Sequence, residues 1–288
     1  MKYGLHLNSE SNIDRVVQKS MEAERLGLDS IWICDMPSQR YVPIVASAIA
    51  SRTKRIQIGL GFSPLLHTNQ QIVSAFYSLI KAYGDRFELC IIAGDKNQLK
   101  KVGILRESLR GNPELLVQAK AEISKRSKNQ GLSFRIGLGA QGPGTLRIAP
   151  SFDCVHLNIC SPHIIEWAIK EIRKIGRKEI QIGIFAPSYI YTVYNHELHQ
   201  LLRSSSSAVI LGASKRFLKV FGFYEQLIGS KDKIPQNIID KFSISMPYQK
   251  LKDYISKIES LGVENIVFSY PQDYSIDTMH DLAKSLRY

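Results

Sequence analysis

The chain has no apolar run approaching the roughly eighteen residues a membrane span needs, and its opening MKYGLHLNSES puts an acid and polar groups where a secretory leader is apolar. Neither spanning nor export is expected. Its four cysteines, Cys34, Cys90, Cys154 and Cys160, form no CxxC pair, and three of them sit inside strand-like apolar runs. That excludes a disulfide framework and points to a reduced, cytoplasmic setting. There is no GxSxG elbow, no GxxxxGKS loop and no HExxH; the nearest approach, HELH at 196–199, spaces its histidines three apart and reads as an exposed helix. No serine nucleophile or metal site is indicated. Acids are also short: 26 Asp plus Glu face 38 Lys plus Arg, giving +12. Such a balance attracts anions, including phosphorylated cofactors and substrates. Nucleic acid is not the expected partner, because the lysines are spread along the chain and no binding module is recognisable.

What is present is an alternation of short apolar, β-branched segments with helix-length amphipathic ones, the pattern of repeated βα units around a parallel sheet. Eight segments read as strands: 2–7, 30–34, 56–60, 87–92, 134–138, 154–158, 181–185 and 265–269. Mostly continuous apolar runs suit strands buried on both faces, and eight is the closing number for a (β/α)8 TIM barrel over 1–288. Residues 12–26, 113–128, 162–175 and 247–261 read as helices, the last three opening with Pro. The long separation of the last two strands predicts a helical insertion over about 191–240.

In such a barrel the chemistry belongs at the C-terminal ends of the strands. That rule nominates His6 and Asn8, Asp35 and Met36, 61–64, Gly94 to Lys96, 139–143, and Asn158 with Cys160. His6 is the group best placed to titrate near neutrality. Asp95 adds a carboxylate at the mouth and, with His6, is a candidate catalytic residue. GLGAQG at 137–142 matches a dinucleotide fingerprint, but it opens at the fifth strand rather than a first βαβ unit and carries Pro143, so a Rossmann site is not supported. A phosphate cradle and a plain tight turn both remain open for it.

Taken in order, AERLGLDSIWICD (23–35), RIQIGLGFSP (55–64), DRFELCIIAGDKNQLKKVGI (85–104), IGLGAQGPGTLRIA (136–149), HLNICSP (156–162) and the segment from Lys241 to Pro271 are collinear with one known family. The chain resembles the bacterial-luciferase-like superfamily, and within it the coenzyme F-420-dependent methylenetetrahydromethanopterin reductases of archaea. The resemblance implies a homo-oligomeric, cytoplasmic enzyme of one-carbon metabolism related to methanogenesis, passing hydride between a deazaflavin and a pterin one-carbon carrier. It places Asp35, Gly61, Phe62 and Ser63 against the ring system, with a non-prolyl cis peptide at Gly61-Phe62. It places Gly94, Asp95 and Lys96 along the coenzyme's side chain, and Gly139, Ala140, Gln141, Gly142 and Pro143 with Leu157, Asn158 and Ile159 around its phosphate. The family's proton-handling glutamate falls at His6, its usual histidine at Met36, and the stretch 105–133 is shorter than its counterpart. The same barrel also supports an FMN-dependent monooxygenase as an alternative, and these departures leave a coenzyme-binding paralogue without turnover as another.

Overall fold

The computed structural model describes residues 1–8, 12–37, 40–104, 113–176, 179–230 and 233–287. Eight strands close a parallel barrel: β1 (Lys2–His6), β2 (Ser30–Cys34), β3 (Gln57–Phe62), β4 (Phe87–Ile91), β5 (Ile136–Ala140), β6 (Cys154–Leu157), β7 (Gln181–Tyr191) and, after a short β8 (Ile244–Pro247), β9 (Val263–Ser269). Neighbours pair in that order, β6 pairs with β7, and β9 returns to β1, so the barrel has no free edge. The sequence reading did not foresee β8. It lies outside the barrel, pairing with residues 188–191, where β7 runs past the rim.

Helices cover the outside: α1 (Ile13–Arg25), α2 (Val42–Arg52), α3 (Asn69–Tyr83), α4 (Lys96–Lys101), α5 (Pro113–Asn129), α6 (Pro143–Ile148) and α7 (Pro162–Arg173) follow the first six strands. The expected insertion is α8 (His196–Gly212), α9 (Lys215–Val220), α10 (Phe223–Gly229) and α11 (Gln236–Ile239), and α12 (Leu251–Ser260) and α13 (Ile276–Arg287) complete the shell. Local chemistry sets the boundaries. Asn12 caps α1 by accepting from the Asp14 amide at 3.0 Å, and Gly27, at φ +82°, turns the chain away after its end. Thr68 and Gln71 form a reciprocal capping box at α3. Pro247 does not open a helix as its sequence context suggested; it ends β8 in extended backbone, and α12 begins at Leu251 after a 3-10 turn. No described helix is long and apolar enough to cross a membrane.

The core has one large layer, a small cluster inside the barrel, and a third cluster where Tyr189 of β7 packs on Leu198 and Leu202 of α8. Outward-facing strand residues such as Leu5, Ile31, Leu60, Leu89 and Val155 pack with the helices in one large buried layer. Inside the barrel a separate small cluster centres on Trp32, Cys90 and Val267. Trp32 of β2 reaches across to His156 of β6, ring centroids 4.5 Å apart. Glycine makes this possible: a Cβ on Gly59 would stand 2.3 Å from the Trp32 ring, and one on Gly4 would stand 2.4 Å from the Ser30 hydroxyl.

Candidate functional site

At the C-terminal rim, His6 ends β1 and faces inward, its ring 5.2 Å from Phe185 and its Nδ1 3.2 Å from the Ser269 hydroxyl. Burial pushes its pKa below the ordinary value, and the negative charge of Asp273 only partly restores it. The ring is therefore neutral at neutral pH. Either partner can donate in the Ser269–Nδ1 hydrogen bond, and Nε2 carries the proton in the tautomer where the hydroxyl donates.

Asp35, directly after β2, is 7% exposed. Its carboxylate meets His67 Nε2 at 2.9 Å and receives the Ser63 amide. Burial still raises its pKa, with His67 and the Ser63 amide opposing. His67 was not singled out from sequence, because it stands 32 positions from Asp35 and only strand pairing brings the loop after β3 beside the end of β2. A cavity of about 370 Å³ opens beside His67, between that loop and α5.

Asp273 was also missed. It lies after β9, 1% exposed, with Oδ2 accepting from the Asn8 amide at 3.0 Å and standing 3.7 Å from Lys19 Nζ. Its Oδ1 is buried and finds no partner among the described residues. The signal available was weak, an acid a few residues beyond the last strand.

Other nominees are placed differently from expectation. The Gly61-Phe62 peptide is trans, not cis: Gly61 pairs with Cys34 and Cys90 and Phe62 with Ile91, so β3 continues in register through both residues. Phe62, Ala140, Leu157 and Ile159 are fully buried in the layer shared with the helices, so their side chains do not line the mouth. Ser63 is wholly buried, its hydroxyl accepting from the Leu65 amide. Gly94 sits at φ +81°, conformationally suited to glycine alone. Asp95 caps α4, its Oδ1 accepting from the Asn97 and Gln98 amides at 2.9 and 2.8 Å. The Lys96 side chain lies outside the described residues, as do residues 105–112 of the shortened stretch.

The fingerprint at 137–142 is mostly strand. Gly137 and Gly139 belong to β5 and face neighbouring strands, where a Cβ would stand 2.7 Å from Cys154 Sγ and 2.8 Å from Ile92 Cγ2 respectively. The loop proper is Gln141, Gly142 and Pro143. Gln141 Nε2 donates to the Asn158 carbonyl at 3.1 Å, which ties the loops after β5 and β6 together. A Cβ on Gly142 would stand 3.1 Å from Ser214 Oγ and 3.2 Å from Phe217 Cβ. The insertion therefore packs directly on this loop.

Chemically, the rim offers a neutral imidazole, a buried carboxylate beside a histidine, and a carboxylate oxygen of Asp273 that has no partner among the described residues. That set can hold N–H donors and handle one proton.

Comparison with known proteins agrees with this architecture. The chain is 24% identical over 312 aligned positions to the 5,10-methylenetetrahydromethanopterin reductase of Archaeoglobus fulgidus, covering 94% of each chain. Its fold is similar to the coenzyme F-420-dependent tetrahydromethanopterin reductase of Methanopyrus kandleri, with TM-score 0.80, 19% identity and 96% of both chains covered. It is also similar to an F-420-dependent secondary alcohol dehydrogenase solved with an F-420-acetone adduct, with TM-score 0.78, 13% identity and 100% and 99% covered. Residues 2–237 match the family model described as luciferase-like monooxygenase, and the chain belongs to that family.

Proposed function

We propose that the protein is an oxidoreductase that binds a flavin-type cofactor, specifically the deazaflavin coenzyme F-420, and transfers hydride to or from a small substrate, with a methylene-pterin the leading choice. The observation that carries this reading is the end-to-end relationship to a pterin reductase, 94% of each chain, combined with a rim whose buried polar groups gather at the C-terminal ends of the strands.

The residues fit such a group. Asp273 Oδ1, buried and without a partner among the described residues, is an acceptor suited to the ring N–H donors of a deazaflavin or a pterin. Asp35, held by His67 and Ser63, would fix the ring system's orientation. The backbones of Gln141, Gly142 and Asn158 would border the phosphate-bearing side chain. The coenzyme supplies the hydride chemistry; the chain binds it, orients it, excludes water and manages one proton. His6 is the proton handler of this reading, acting as an acid in its imidazolium form on the acid side of its lowered pKa. Self-association of the chain belongs to the same reading and is measured by sedimentation.

The test is a titration of the purified protein with coenzyme F-420 and, separately, with FMN, followed by absorbance and fluorescence. Saturable binding of the deazaflavin, tighter than that of FMN, is expected, and hydride transfer to methylene-pterins is then assayed directly. Tighter binding of FMN would move the protein to the monooxygenase reading. Binding of neither would overturn the enzymatic assignment.

A further inference from the structure

The opposite end of the barrel holds a polar cluster that hydride transfer does not use. Glu88 of β4 and Cys154 and His156 of β6 all point inward, across Gly137 of the intervening β5. Glu88 Oε1 lies 3.1 Å from Cys154 Sγ and 3.4 Å from His156 Nε2, and Sγ and Nε2 are 3.9 Å apart. The three donor atoms lie within 4.8 Å of one another. Cys154 and His156 are almost fully buried. Glu88 is reached from outside through a cavity of about 760 Å³ at the N-terminal end, lined also by Trp32, Arg135, Gln181 and Asn265.

We infer that Glu88, Cys154 and His156 form a binding site for a thiophilic divalent cation of the zinc type, entered from the N-terminal end of the barrel. Three observations support it. The first is geometric: carboxylate, imidazole and thiolate donors around one tetrahedral ion, at roughly 2.0–2.3 Å each, stand about 3.3–3.6 Å apart, and the observed triangle needs adjustments of only a few tenths of an ångström. The second is charge. A carboxylate, a thiolate and a neutral imidazole carry two negative charges, which balance the ion in an interior where an uncompensated charge is costly. The third is space, since Gly137 has no side chain: a Cβ there would stand 2.7 Å from Cys154 Sγ and 3.5 Å from His156 Cδ2.

The donor set selects the ion. Sulfur and imidazole nitrogen disfavour magnesium and calcium, which prefer all-oxygen shells. Three protein ligands leave a fourth position facing the cavity for water. On binding, the Cys154 thiol proton leaves to solvent, sulfur and Nε2 bond the metal, and the imidazole proton resides on Nδ1. His156 Nδ1 has no partner among the described residues. The ring therefore lacks the outer hydrogen bond that strengthens most metal histidines, so affinity should fall below that of a closed structural zinc site. The exposed Arg135, whose charge reaches Cys154, must give way to the incoming cation.

The test uses cobalt(II) as the probe, added to the full-length protein reduced with a phosphine. One equivalent should produce a sulfur-to-cobalt charge-transfer band and the intense visible bands of four-coordinate cobalt, and zinc should abolish both. Cys154→Ser should lose the charge-transfer band while keeping its circular dichroism. Absence of the band in the wild-type protein overturns the site, and so does its persistence in Cys154→Ser, which would assign the sulfur to another cysteine. Should that variant fail to fold, Glu88→Gln decides the matter: cobalt affinity weakened by at least roughly tenfold supports the site, and unchanged affinity overturns it.

Discussion

The two ends of this barrel are built from the same strands and teach different lessons about where chemistry sits. At the C-terminal end the polar groups stand on loops: Asp35 and His67 meet there, and Asp273 reaches back toward His6. At the N-terminal end they stand on the strands themselves, with Glu88, Cys154 and His156 projecting into an interior cleared by glycines. Loops can be exchanged without disturbing a fold; interior strand positions cannot. A cavity of about 760 Å³ opens at the N-terminal end, so cavity volume by itself does not single out the rim proposed for hydride chemistry. The rule that active sites gather at strand C-termini, together with the family relationship, outweighs volume.

The largest expected effect comes from filling the interior. Gly59→Ala would place a methyl 2.3 Å from the ring of Trp32, which is 3% exposed and walled in by His156 and Phe185. The cost belongs at the upper end of the about 1–3 kcal/mol typical of overpacked cores, a fall in Tm of roughly 6–12 °C. Calorimetry measures it. A Tm within a degree of wild type would mean that the interior is looser than the Trp32 contacts imply, and the contrast between a rigid lower end and an adaptable rim would fail.

That packing shows where sequence reading succeeds and stops. The eight barrel strands and the helix carrying Asn12 at its cap were legible because apolar runs and capping residues are local signals. β8 was not, since a four-residue strand that pairs only with the overhang of β7 has no pattern of its own. Gly137 was read inside the fifth strand, but the strand position of Gly139 was hidden by a motif that mimics a phosphate loop, when the absent side chains of both serve Cys154 and Ile92. Within the rim, His6 and Asp35 could be named from their place after a strand. His67 and Asp273 could not, because what recommends them is a partner far away in sequence.

At the rim, replacement should cost function and spare stability. His6→Ala is expected to lower turnover by about 10²–10⁴-fold, with coenzyme affinity near wild type. Unchanged turnover removes His6 from the chemistry. Because burial lowers the His6 pKa from 6.5, a reaction needing its protonated form slows as pH rises through that lowered value. Stability carries the opposite slope. The unfolded chain takes up this proton at higher pH than the folded one, so folding gains stability as pH rises toward 6.5, and His6→Ala should flatten that dependence in denaturant titrations across pH.

A smaller effect is expected at the pair that sequence did not reveal. His67→Gln removes the charge that opposes burial at Asp35, so the already raised Asp35 pKa should rise further. Carbon-13 chemical shifts of the Asp35 carboxyl followed against pH read this directly. A downward or absent shift would separate Asp35 from His67 and leave the rim with two unrelated groups.

The smallest effect separates a cap from a catalyst. Asp95 ends the run GD ahead of α4 and was read as a mouth carboxylate, yet its Oδ1 already accepts both Asn97 and Gln98 amides. Asparagine caps a helix about as well as aspartate, whereas alanine forfeits about 1 kcal/mol. Asp95→Asn should therefore leave Tm unchanged within about a degree and turnover within a few-fold of wild type, while Asp95→Ala should lower Tm by roughly 2–4 °C. If Asp95→Asn instead loses turnover by about a hundredfold at unchanged Tm, the carboxylate charge itself is needed, and the mouth holds an acid–base group in addition to His6. The Tm and the turnover are required together, because Asp95→Ala alone would lower both for either reason.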